Sequence, residues 1–170
     1  MIQFTFEIFV YYISFLSIIP VIILTIYWIV KKEYYSVILR HVAGFIVGIL
    51  DQFLMVLFNW QSSIISIVIL FDYGLYSTWF LLMPSWKKFN PKIWMPIWII
   101  FSGILNTILE NVVRILTYGN LNYPIYWTQI HTLVFYLFMH LIGTIIASLN
   151  FIISKKSLHI NKKSEKLTKI

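Results

Sequence analysis

Residues 42–58 read VAGFIVGILDQFLMVLF, an apolar run with a single charge, Asp51, near its middle. The hydrocarbon of a bilayer is about 30 Å thick, and roughly 17–25 apolar residues rising about 1.5 Å each cross it as a helix. Gly44 and Gly48 form a GxxxG pair, which strips side-chain bulk from one stripe and lets a second helix come close. At roughly 100° per residue Asp51 and Met55 share that stripe. The charge therefore belongs to the face that meets another helix, not the face that meets lipid.

Four more apolar runs surround this one, over about residues 4–30, 64–83, 93–115 and 128–153. Turn formers separate the later ones: Asn59, Ser62 and Ser63, then Pro84, Asn90 and Pro91, then Gly119, Asn120, Asn122 and Pro124. Lipid tolerates only helices or closed barrels, and these runs do not alternate as barrel strands do. The sequence thus predicts an all-α integral membrane bundle of about five transmembrane helices, with a basic tail at 154–170. Composition agrees. The chain is 60% hydrophobic and 11% charged, whereas a soluble domain has about a quarter of its residues charged. The first run has Glu7 near its start and no Lys or Arg before it, and it is too long for a secretory signal. The length leaves no room for a separate soluble domain.

Lys and Arg set the orientation. Lys31, Lys32 and Arg40 fall in the first connection, Lys87, Lys88 and Lys92 in the third, and Lys155, Lys156, Lys162, Lys163, Lys166 and Lys169 in the tail. The second and fourth connections carry none beyond Arg114. This alternation predicts five spans in the cell membrane, N-terminus outside and C-terminus cytoplasmic, with 59–63 and 117–127 outside. Trp28, Trp60, Trp86, Trp94 and Trp127 lie near the predicted span ends, as an aromatic belt requires. The net charge of +7 sits in these clusters. It reads as a topology signal with the lipid bilayer as partner, and no nucleic acid is expected. The tail either lies against the anionic inner leaflet or is solvated.

Charged residues at mid-bilayer cost a few kcal/mol each on insertion scales and need a reason. Asp51, Asp72 and the polar His140 fall near mid-span, and Glu110 and Arg114 toward the outer end of the fourth span. Gly103, Asn106, Thr107, Glu110 and Arg114 share one helical stripe, and Tyr136, His140, Gly143 and Thr144 share another. Spans two, four and five are expected to join along these small and polar faces, with Gly44, Gly48, Gly103 and Gly143 at the packing points. Glu110 and Arg114, four apart, fit an ion pair on one helix. Asp51 and Asp72 have no basic residue at their depth, so each either holds a proton or faces water or a bound cation. With the second and third runs antiparallel, the two carboxyls are expected at matching depth in one interior region, with His140 as the nearest basic partner. Plain helix packing accounts for the glycines, and core hydrogen bonding for His140, without any further role.

Tyr34-Tyr35, Gly48-x-x-Asp51, Asn59-Trp60, Pro84, Glu110 and the 123–127 segment together resemble a family of uncharacterised small polytopic membrane proteins from spore-forming Gram-positive bacteria. The resemblance covers about residues 34–148. It implies a fold of four to five helices and no activity, and Asp72 and Arg114 are not among its features.

Three functions follow. The first is a non-enzymatic bundle whose buried site at Asp51, Asp72, Glu110 and His140 takes a small ligand, a proton or a cation. The second is an accessory or structural subunit of a membrane complex, or a homo-oligomer. The third is an intramembrane enzyme: Glu110-x-x-x-Arg114 followed by His140 is similar to the prenyl-protein proteases. Leu109, however, stands where that family has its first glutamate, Tyr136 stands where it has Phe, and a second histidine motif is missing. No residue is assigned as catalytic. The chain has no Cys and no Gly-rich phosphate loop, so thiolate chemistry is excluded and neither a metal nor a nucleotide cofactor is expected.

Overall fold

The computed structural model describes residues 6–57, 66–84, 90–118 and 129–167. All regular structure among them is helical: α1 (Phe6–Val30), α2 (Tyr34–Leu57), α3 (Ser66–Leu82), α4 (Pro91–Tyr118) and α5 (Gln129–Leu167). Three stretches, Tyr34–Leu57, Pro91–Leu109 and Ile130–Leu149, are long and apolar enough to cross a membrane. Phe15–Val30 is apolar but shorter, and α3 has 17 residues.

The helix ends follow local chemistry. Lys32 adopts a left-handed φ of 58°. Its N–H donates to the Ile29 carbonyl at 2.9 Å, and the Glu33 N–H to the Trp28 carbonyl at 3.1 Å. That pair of bonds is a Schellman motif, which closes α1 and lets α2 start almost at once. At the start of α4, Asn90 Oδ1 accepts from the Lys92 N–H at 3.1 Å, and Pro91 fills the first helical position, where a missing N–H costs nothing.

Two boundaries depart from the sequence reading. α2 begins at Tyr34 rather than at 42, so Arg40 and His41 belong to the helix and not to a connection. Arg40 is tolerated there because its guanidinium is satisfied by backbone carbonyls, as described below. α5 continues to Leu167 and takes in most of the segment read as a tail. At about 1.5 Å per residue it is about 58 Å long, well beyond hydrocarbon thickness.

α2 packs against α3 and α5, α1 against α3, and α4 against α5. The GxxxG face of α2 is occupied by α3. A Cβ on Gly44 would stand 2.0 Å from Ser77 Oγ and 2.8 Å from the Ser77 backbone, and one on Gly48 would stand 3.1 Å from the Tyr73 backbone nitrogen. The expected joining of spans two, four and five runs through α5, which packs against both of the others; α2 and α4 share at most marginal contact, and the GxxxG face itself belongs to α3.

The exposure pattern is inverted relative to a soluble protein. Ile23 is 61% exposed, Phe53 54% and Val134 59%, while Arg40, Asp51, Gln52, Asp72, Asn106 and His140 are buried. Water does not stabilise such a surface and hydrocarbon does.

Candidate functional site

The polar residues of the interior form two groups that meet at Tyr76. The first lies where α2 crosses α3. The two helices run antiparallel, with Gly44 opposite Ser77 and Gly48 opposite Tyr73, and this register carries Asp51 and Gln52 toward Tyr76 and Asp72. Tyr76 donates its hydroxyl hydrogen to Asp51 Oδ2 at 2.6 Å, and Gln52 Nε2 donates to Asp72 Oδ2. Asp72 and Tyr76 are one turn apart on the same face of α3, so each carboxyl takes a hydrogen from a neutral donor on the facing helix. Asp51 is 2% exposed and Asp72 7%.

The second group surrounds His140 on α5, whose side chain has no solvent exposure. Aromatic rings enclose it: Tyr76 at 5.6 Å, Phe80 at 5.8 Å and Trp79 at 6.2 Å between centroids. Gly143 makes room for this arrangement, since a Cβ there would meet the Phe80 ring at 1.9 Å. From α4, Asn106 Oδ1 accepts the Trp79 indole hydrogen. Neither ring nitrogen of His140 has a hydrogen-bond partner among the described residues, and the same holds for Asn106 Nδ2, Trp98 Nε1 and Thr144 Oγ1. A buried polar group without a partner costs about 1–3 kcal/mol, so a native interior seldom leaves several together.

No protein-family model, curated protein or solved structure matches the chain.

Of the residues singled out in the sequence, Asp51, Asp72 and His140 thus lie in the described interior. His140 bonds to neither carboxylate, and its link to Asp51 runs through the Tyr76 ring. Gly103 meets the Leu137 side chain on α5, so it does serve a helix contact. Glu110 and Arg114 lie on α4, but their side chains, and with them the expected ion pair, fall outside the described residues. So do Trp60, Trp86 and Trp127. Among the described residues no three His, Cys, Asp or Glu side chains are grouped to hold a metal ion.

Sequence reasoning missed Arg40. It is 2% exposed, and its Nη1 donates to the carbonyls of Phe80 at 3.0 Å, Leu81 at 3.0 Å and Met83 at 2.6 Å. Its Nε donates to Ser36 Oγ at 3.0 Å. The guanidinium lies 4.1 Å over the Trp28 ring, and the Trp28 indole also donates to the Leu81 carbonyl, at 2.7 Å. A cation therefore closes the carbonyl end of α3, where the helix dipole favours it. Trp28 is buried in this cap. The neighbouring His41 joins the same three helices. Thr25 Oγ1 donates its one hydrogen to the Val21 carbonyl at 2.6 Å, so His41 Nε2 must be the donor of the 2.8 Å bond to Thr25. In a neutral ring Nδ1 then accepts from the Tyr73 hydroxyl, also at 2.8 Å.

Gln52 and Trp98 were missed as well, whereas Thr144 lies on the polar stripe of span five already read from the sequence. One signal was available for Gln52: a side-chain amide in mid-span is subject to the same desolvation cost that drew attention to Asp51.

Proposed function

We propose that the chain is a multi-pass protein of the cell membrane, crossing it five times with the N-terminus outside and the C-terminus in the cytoplasm. Its α2–α3 interior is a non-enzymatic site for a proton or a small cation. The observation that carries this reading is the burial of two carboxyls, Asp51 and Asp72, across one helix crossing in a bundle whose outward side chains are apolar. Intramembrane carboxylates facing a bundle interior are the groups from which ion and proton sites are built. The short turn after α1 keeps Lys31 and Lys32 next to the Arg40 cap at the carbonyl end of α3. The basic residues Lys87, Lys88 and Lys92 follow that end in sequence, which supports a common cytoplasmic side. Membership of the spore-former family named above belongs to this proposal and rests on the residues quoted for it.

Two measurements test the reading. Single cysteines introduced at Lys88 and at Asn120 are exposed to a membrane-impermeant thiol reagent in intact cells. Asn120 is expected to react and Lys88 to be protected, and the reverse pattern rejects the orientation. The purified chain in lipid nanodiscs is then unfolded thermally in sodium, potassium and calcium salts, and proton uptake is followed in proteoliposomes. A midpoint raised by one cation, or a proton flux, is expected to disappear in Asp51→Asn or Asp72→Asn. No response to any cation and no flux rejects the site.

A further inference from the structure

The groups around His140 have a chemistry different from that of the Asp51–Asp72 crossing, and it does not depend on what the carboxyls bind. Asn106 Oδ1 is already used by the Trp79 indole, so Nδ2 presents two N–H groups without an acceptor. Trp98 Nε1 can only donate, a neutral His140 supplies one donor and one acceptor, and the Thr144 hydroxyl can do either. The excess is of donors. Thr144 lies one turn beyond His140 on the same face of α5, and Trp79 joins His140 to Asn106 and to Trp98, the two indole rings being 6.4 Å apart. Ser77 Oγ is also without a partner, but it is pressed against Gly44 on the α2 side of α3.

We infer that this donor-rich, aromatic-walled region where α3, α4 and α5 come together binds a neutral, lipid-dissolved molecule through its carbonyl oxygens, of the quinone or acyl-ester type. Three observations narrow the class. Unused N–H donors call for an acceptor. The ligand is neutral because the groups without partners here are an amide, an indole, an imidazole and a hydroxyl, with no Lys or Arg among them, and a buried anion without a counter-charge is costly. It comes from the bilayer because the outer wall is the Trp79–Trp98–Phe101 cluster, with centroids 6.1–6.4 Å apart, in which the two indoles are half-buried and Phe101 is 50% exposed. Planar aromatic walls suit an apolar body whose polar atoms are few and fixed.

The test uses the full chain in nanodiscs and its own tryptophan fluorescence, which quinones quench on contact. A short-chain 1,4-benzoquinone is titrated, and a medium-chain monoacylglycerol and a fatty carboxylate are tried as competitors. Saturable quenching, or saturable stabilisation by the monoacylglycerol, is expected. The quinone alone binding identifies the quinone class, and displacement by the monoacylglycerol extends the site to acyl esters. Asn106→Leu and Thr144→Val are each expected to weaken binding about tenfold, while Asp51→Asn leaves it unchanged, so failure of the acidic site and failure of this one are told apart. Elution as a monodisperse species shows that a variant is folded. Linear, unsaturable quenching with no stabilisation by the ester overturns the inference. Equal binding of the carboxylate, or folded Asn106 and Thr144 variants that bind as the parent does, also overturns it.

Discussion

Arg40 Nη1 donates to the Met83 carbonyl at 2.6 Å, fastening the first turns of α2 to the end of α3. The same guanidinium reaches the Phe80 and Leu81 carbonyls and covers Trp28, so one side chain joins three helices. Lys cannot replace it, having neither the planar fork nor the ring stacking. Arg40→Lys is expected to lower stability by about 2 kcal/mol and Arg40→Ala by about 3–5 kcal/mol, because buried carbonyls lose a charged donor. Unfolding by SDS titration in mixed micelles measures both. Equal stability of Arg40→Ala and the parent would show that the cap is dispensable.

The left-handed φ of 58° at Lys32 is unfavourable for a residue with a Cβ and free of that strain for glycine. Lys32→Gly is expected to stabilise the α1–α2 turn by about 1 kcal/mol, after allowance for the greater freedom of an unfolded glycine. It also removes one positive charge from this turn. The same titration measures the gain, and a loss of stability would mean that the Lys32 side chain has a contact worth more than the strain.

Two glycines four residues apart are expected to respond differently. A Cβ at Gly44 lands 2.8 Å from Ser77 backbone atoms, which cannot move without separating the helices, while one at Gly48 lands 3.1 Å from the Tyr73 nitrogen, within reach of a small adjustment. Gly44→Ala is expected to cost about 2–3 kcal/mol through overpacking. Gly48→Ala is expected to fall within about 1 kcal/mol of the parent, since helix propensity offsets the tighter contact. Adding Ser77→Ala to Gly44→Ala relieves the side-chain clash but not the backbone one, so only partial recovery is expected.

The helical bundle was legible from apolar run length alone, because a segment that must satisfy its backbone in lipid has few choices. The GxxxG stripe showed which face of α2 is close-packed but not which helix takes it. That depends on the tertiary fold bringing Ser77 and the Tyr73 backbone of α3 against the two glycines, which the apolar run length does not reveal. Asp51, Asp72 and His140 announced themselves by charge or polarity at depth, whereas their partners did not: Tyr76 and Trp79 look like ordinary core aromatics until the fold turns a hydroxyl toward Asp51 and an indole toward Asn106. Arg40 was misplaced because positional rules read a basic residue near a helix end as a topology signal. Its pairing with carbonyls some forty residues later is a tertiary fact.

The Gln52–Asp72 bond offers the sharpest test of the α2–α3 crossing. Both side chains are buried, so Gln52→Leu leaves a carboxyl that has lost a donor and Asp72→Leu leaves an amide that has lost an acceptor. Each single change is expected to cost about 1–3 kcal/mol. The double variant Gln52→Leu/Asp72→Leu removes both groups together and restores apolar contact, so it is expected to be less destabilised than the sum of the two by about 1–2 kcal/mol. A double-mutant cycle isolates that difference whatever other contacts either residue makes, provided the single variants introduce none of their own. Tyr76→Phe serves as the comparison at the neighbouring bond, since it removes the hydroxyl that reaches Asp51 and keeps the ring against His140 and Phe80. A coupling energy near zero between Gln52 and Asp72, with both single variants folded, would separate the two residues in the native bundle. It would also remove the register that places Asp51 beside Tyr76.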